Sequence, residues 1–205
     1  TRYFICFINS LNFMMFPHLS NKEIILASKS PRRQTLFKEL GLDFKVEVRE
    51  VEEVYPPELA GREVPVFLAA LKSEAFGELA DNQLLVTSDT VVVLDGKVIE
   101  KPKDAKDAKR MLKQLSGKTH KVFTGVCLRD GQKRSSFSSK TEVEFKELSN
   151  KEIQYYVEQF QPFDKAGSYG IQEWLGYIGI KGINGCYYNV MGLPLSKLYK
   201  ELMEW

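Results

Sequence analysis

The segment LASKSPRRQ, residues 26–34, puts two serines, a lysine and two adjacent arginines where an apolar run gives way to a helical pattern. A helix start presents unpaired N–H groups and partial positive charge, so it attracts anions. Pro31 suits a first helical position. Ser28 and Ser30 add hydroxyl donors, and Arg32 and Arg33 add guanidinium forks that match phosphate oxygens. The chemistry on offer is phosphate binding. A serine N-cap followed by two solvated arginines would leave the same letters.

Four other groups carry chemistry. Asp89 and Thr90 follow the run LLVTS, which sets a carboxylate beyond the carboxyl end of an expected strand. Such a carboxylate can hold a metal or take a proton from water, though a turn aspartate bonded to its own backbone is the plainer reading. Glu52 and Glu53 begin a loop. Neighbouring side chains of an extended chain face opposite ways, so one of the two faces a cleft and the other faces solvent. Lys72 sits on an otherwise apolar helical face, and Pro102 holds Lys101 extended. The loop FDKAGSYGIQEWLG, residues 163–176, combines glycines with Lys165, Ser168, Tyr169 and Gln172. Its glycines let backbone approach a ligand, and the Gln172 amide can read a base edge. No Walker A or Rossmann glycine pattern occurs. Each group alone has an ordinary explanation. Together they suit a polyphosphate with a metal and a base at one end.

Alternating strand and helix patterns must position these groups, which makes the class α/β. EIILAS reads as a buried strand and RRQTLFKELGL as a helix stopped at Gly41. Residues 43–51 alternate as a half-exposed strand, and residues 65–81 form a helix with a broad apolar face. QLLVTSDTVVVL is a buried strand, followed by a hairpin turned at Asp95-Gly96. Asp104 caps a third helix that ends at Gly117. Two long strands turn at Asp130-Gly131, and Ser149 or Asn150 caps a helix with Glu152 in its first turn. Short strands and a closing helix, LPLSKLYKELMEW, fill the last forty residues. The adjacent long strands make the sheet mixed.

The chain has 205 residues, enough for one large domain or two lobes sharing a core. A net charge of +2 supplies no global field for nucleic acid or a membrane, so any positive site is a local cluster. Cys6, Cys127 and Cys186 are odd in number and lack a C-x-x-C spacing, which points to reduced thiols and a cytoplasmic home. His18 and His120 are too few for a His-rich metal site. A metal would then be held by carboxylates, as Mg²⁺ or Mn²⁺ are. Residues 1–20 are apolar and interrupted by Asn9, Asn12 and Pro17. They make a poor signal peptide and too short a membrane span. They are expected to be an extension outside the fold, with Met14 or Met15 a natural start and residues 21–205 the domain.

The motifs LASKSPRR, SDT, EKPKDA, LSGKTH, DKAGSYGIQ and INGCYYNVMGLPL occur in that order from about Ile24 to the C-terminus. They resemble the Maf family of nucleoside triphosphate pyrophosphatases. The resemblance implies an elongated mixed sheet with helices on its faces and two lobes around a deep cleft, as in the inosine triphosphatase group. It implies metal-dependent hydrolysis of a nucleoside triphosphate to the monophosphate and pyrophosphate. EKP and DKAGSYGIQ resemble the branch acting on dTTP and UTP rather than 7-methyl-GTP. By the same resemblance Asp89 is the proton acceptor that activates water and a metal ligand with Glu53. Arg32, Thr90 and Gln172 match positions linked to substrate choice, and Ser28, Arg33, Lys72 and Lys101 match other polar groups of the cleft. A homodimer is compatible with the family, and stable nucleic-acid or membrane partners are not expected. This chain departs from the family at Ser88, where Ala is common, and at Glu173-Trp174, where Gly is common. Trp174 is expected to narrow the base pocket. The competing reading is a regulatory nucleotide- or nucleic-acid-binding protein of the septum-formation type with little turnover. The carboxylate of Asp89 and the near-neutral charge speak against it.

Overall fold

The computed structural model describes residues 15–205. QLLVTSDTVVVL forms one continuous strand, β3, Gln83–Leu94. β1, Glu23–Ala27, runs parallel to its first half, and β5, Thr119–Arg129, runs antiparallel along most of its length. β6, Arg134–Phe145, returns from β5 through a turn in which Asp130 accepts the N–H groups of Gln132 and Lys133. β2, Lys45–Val46, and β7, Ile180–Asn184, complete the order β2-β1-β3-β5-β6-β7. β4, Lys97–Ile99, pairs with the end of β3 across a two-residue turn. Asp95 and Gly96 both take positive φ there, as that tight hairpin requires.

One edge of β3 is interrupted. β1 accompanies residues 83–87 and β4 residues 92–94. Residues 88–91 therefore have no strand pair on that edge among the described residues. This notch is where the fold opens.

Side chains of β3 alternate between the two faces of the sheet. On one face Val91 and Val93 pack beneath α2, Glu63–Glu74, with Val64 and Leu68 opposite, while Leu85 packs with Ile25 and Ala27 of β1 beneath Phe76 and Leu79. Gly125 on β5 allows that approach, because a Cβ there would lie 2.3 Å from the Pro65 carbonyl. On the other face two apolar clusters are separated. Leu84 and Val86 join Leu36 and Phe37 of α1, Pro31–Lys38, and Leu198 and Leu202 of α7, Leu195–Met203. Val92 and Leu94 join α3, Ala105–Leu115, and α4, Asn150–Phe160. Ser88 and Thr90 fall between the clusters. The molecule is thus a mixed α/β sheet with two lobes on either side of a polar interval.

Local signals behave as their letters predict. Asp104 accepts the Asp107 N–H, and Ser149 forms a capping box with Glu152. Longer-range expectations need correction. The strand expected over residues 43–51 shrinks to β2, because β1 offers it only Ile25 and Leu26 as partners. The helix expected to reach residue 81 ends at Glu74. The final region holds one strand, β7, with short helices α5, Trp174–Gly179, and α6, Tyr187–Met191. The boundary expected at residue 20 also moves. Phe16 and Leu19 are fully buried in the cluster with α7, and the His18 Nε2 lies 2.7 Å from the Leu202 carbonyl. Residues 1–14 of the expected extension, with Cys6, lie outside the described residues. Among the described residues no helix is long and apolar enough to cross a membrane.

His120 on β5 is buried against Phe145, with Nε2 2.7 Å from the Tyr169 hydroxyl. Burial lowers its pKa from 6.5 to about 4. Between those values the unfolded chain binds a proton that the native state refuses, so stability falls as pH falls through that window. The full loss is about 3 kcal/mol. Urea unfolding at pH 7 and pH 4 is expected to differ by that much more in wild type than in His120→Gln. Equal pH dependence in the two proteins would reject the assignment.

Candidate active site

A cleft of about 410 Å³ opens at the notch in β3. Its wall includes the residues that the family resemblance assigns to the site: Ser28, Arg32, Arg33, Glu53, Lys72, Asp89, Thr90, Lys101 and Gln172. One detail of the sequence expectation is corrected. Asp89 lies inside β3, not past its end, and what ends beside it is β1, at Ala27.

Asp89 and Thr90 project from opposite faces of β3. Asp89 points to the α2 side, where it is 6% exposed. Lys72 of α2 places its Nζ 2.6 Å from Asp89 Oδ1 and 2.9 Å from Glu53 Oε1. Lys101 stands 3.6 Å from the other Glu53 oxygen. Burial alone would raise the Glu53 pKa, but the two ammonium groups outweigh it and hold the carboxyl below its ordinary value. Glu53, not Glu52, therefore belongs to the cleft, and it does so from irregular backbone rather than from a strand.

Two carboxylates that converge on one cation fix the donor set available for a metal. No group of three or more His, Cys, Asp or Glu side chains fit for a metal occurs among the described residues. Mg²⁺ commonly takes one or two carboxylates and completes its shell with water and substrate phosphate. Glu53 and Asp89 fit that pattern, and do not fit a closed, all-protein metal cage.

On the opposite face Thr90 enters a relay with one direction. Thr124 donates to the Asn189 carbonyl, so its oxygen accepts the Thr90 proton at 2.9 Å. The Thr90 oxygen in turn accepts from Arg33 Nη2 at 2.9 Å. Arg33 also donates Nε to the Gly192 carbonyl at 2.8 Å and Nη1 to the Ser88 carbonyl at 3.0 Å. Its guanidinium is thus bound to the protein and ties α1 to the notch. Arg32 is oriented differently. Its Nη1 crosses the cleft to Asp164 Oδ2 at 3.0 Å, in a pair whose acid is well exposed. Ser28 Oγ accepts the Ser30 N–H, and Ser30 caps the helix from the Arg33 N–H at 3.5 Å.

The far end of the cleft is lined by Val92, Val122, Tyr169, Val190 and Met191. Gln172 stands beside them, and its Oε1 is buried with no hydrogen-bond partner among the described residues. Trp174, expected to narrow this pocket, instead packs on Tyr155 with ring centroids 4.8 Å apart and does not line the cleft. Thr124, Asn189 and Asp164 were missed by sequence reasoning. A lone threonine in a strand or asparagine in a short helix carries no signal of its own, while Asp164 could have been taken from its place in DKAG.

The family profile described as Maf-like protein matches residues 23–205. A Bacteroides thetaiotaomicron protein named dTTP/UTP pyrophosphatase is 50% identical over 192 residues, covering 93% of this chain and 100% of that protein. A Flavobacterium johnsoniae protein of the same name is 50% identical over 190 residues, covering 92% and 98%. Among solved structures, a HAM1 protein from Coxiella burnetii aligns at 17% identity and a TM-score of 0.46, covering 90% of this chain and all of that one. A likeness at that score carries no argument.

Proposed function

The chain belongs to the family of Maf-like proteins, and from that premise we propose that it hydrolyses dTTP and UTP to the monophosphate and pyrophosphate. The observation that carries the reading is the polarity of the cleft. One end holds an acid–lysine cluster and the other an unmet amide acceptor beside apolar walls. A nucleotide lying along it crosses the notch in β3, with phosphates toward Asp89 and base toward Gln172.

In this reading Asp89 accepts the proton of the attacking water. Lys72 fixes the orientation of that carboxylate and, with Lys101, supplies positive charge beside the polyphosphate as charge builds on the leaving pyrophosphate. Arg32 exchanges Asp164 for a phosphate oxygen, and the Ser28 hydroxyl faces the same chain of phosphates. Glu53 and Asp89 would hold a hard divalent cation, Mg²⁺ or Mn²⁺, which when bound polarises the phosphate oxygens. Thr90 and Arg33 act as supports of this wall. The Gln172 amide lines the cleft and, once turned to present its oxygen, takes the ring N3–H that uracil and thymine have and cytosine lacks, a hydrogen bond worth about 1 kcal/mol. The cytoplasm suits the substrate, and a homodimer is compatible with the fold.

A product assay tests the reading. dTTP, UTP, CTP, GTP, ATP and 7-methyl-GTP are incubated with Mg²⁺ or Mn²⁺, with and without chelator. The expected result is monophosphate plus pyrophosphate from dTTP and UTP, lost with chelator. Release of inorganic phosphate and a diphosphate would reject it. No turnover of any nucleotide would favour a binding protein. Gln172→Ala is expected to lower the preference for dTTP over CTP about 10-fold, the worth of one good hydrogen bond.

A further inference from the structure

We infer that Glu173 is a positioning residue that sets the specificity of the cleft by fixing the turn on which Gln172 sits. The inference rests on the reading of Gln172 as the group that reads the base. The turn is closed by the Glu173 N–H donating to the Gly170 carbonyl at 3.1 Å. Both side chains fold back over Gly170. A Cβ on that residue would lie 2.8 Å from the Glu173 carboxyl carbon and 3.0 Å from Gln172 Nε2.

The Glu173 carboxylate is held from two sides. Lys165, only 8% exposed, places its ammonium 3.1 Å from Oε1. The fully buried Tyr156 of α4 donates its hydroxyl to Oε2. That hydroxyl has a second task, since it accepts the Gly170 N–H at 3.0 Å. Burial first, and the hydrogen bond to Glu173 next, raise the Tyr156 phenol, so it stays a donor. Glu173, Tyr156 and Gly170 thus form a closed ring of hydrogen bonds around the turn. On the outer side the Tyr177 hydroxyl donates to the Gln172 carbonyl at 2.6 Å. With the backbone held on both sides, the Gln172 side chain starts from a fixed Cα, and Glu173 packs beside it over Gly170. Glu173 itself is absent from the cleft wall, so it acts through its neighbour and not on the base.

The test measures kcat/KM for dTTP and CTP in Gln172→Ala, Glu173→Ala, Glu173→Gln and Tyr156→Phe, with a thermal midpoint for each. Glu173→Ala is expected to lower the dTTP:CTP ratio to within about threefold of the Gln172→Ala value. Tyr156→Phe, which removes only the bridging oxygen, is expected to lower it too. Glu173→Gln keeps an acceptor for Tyr156 and is expected to restore most of the ratio. A merely structural role would lower the midpoint and both rates together. A ratio that holds in Glu173→Ala and Tyr156→Phe while Gln172→Ala changes it would overturn the inference and leave the base reading standing. A ratio that holds in Gln172→Ala would overturn the base reading and this inference with it.

Discussion

Asp89→Asn is expected to lower kcat by about a thousandfold or more while the protein stays folded. A positioned general base contributes about 10²–10⁴ in rate, and this carboxylate would also lose its share of the metal. The fold is spared for a specific reason. An asparagine oxygen can still accept from Lys72, which keeps Glu53 as its second partner at 2.9 Å. No buried charge is stranded, so the thermal midpoint is expected to move by only a few degrees, about 1 kcal/mol. Circular dichroism and a product assay on the same preparation decide the matter. Near wild-type turnover would remove Asp89 from the reaction. An unfolded variant would mean that the Lys72 pair holds α2 on the sheet, which the packing of Val64 and Leu68 argues against.

The parts of the molecule that were legible in its letters are those decided within a few residues. Asp95-Gly96 makes its hairpin, and Asp104 and the Ser149–Glu152 pair cap their helices, because each bond joins near neighbours. What depends on a distant partner was not legible. Residues 43–51 alternate like a strand, but only two of them find β1 beside them. The notch follows from where β1 stops and β4 begins, and no letter of β3 records either. The list of cleft residues was readable because their motifs resemble a known family in order. Their division of labour was not. Trp174 was read toward the pocket, but it packs on Tyr155, while Glu173 turns to Tyr156 and Lys165, because the direction of each side chain is set by α4 and the preceding loop rather than by the neighbouring letters. The fate of residues 16–19 was likewise decided by α7, at the other end of the sequence.

The two adjacent arginines are expected to fail in opposite ways. Arg33→Ala leaves the carbonyls of Ser88 and Gly192 and the Thr90 hydroxyl without their shared donor. Unmet acceptors in a partly buried wall cost about 1–3 kcal/mol each, and water entering from the cleft recovers part of that. The net loss is expected to be about 3 kcal/mol, measured by denaturant unfolding. Arg33→Lys should not rescue it, because one ammonium cannot reproduce a fork that spans three acceptors. Arg32→Ala removes only a pair with an exposed acid, worth under about 1 kcal/mol, so stability is expected to hold. Its loss should appear in KM for the triphosphate, about 10-fold or more for one charge-assisted phosphate contact. Arg32→Lys, which keeps the charge, should retain much of that affinity. Equal effects of Arg32→Ala and Arg33→Ala on both stability and KM would mean that the inward bonds of Arg33 give way in solution, and that both guanidiniums reach the substrate. A split result would mean that one arginine builds the wall of the anion site and the other meets the anion.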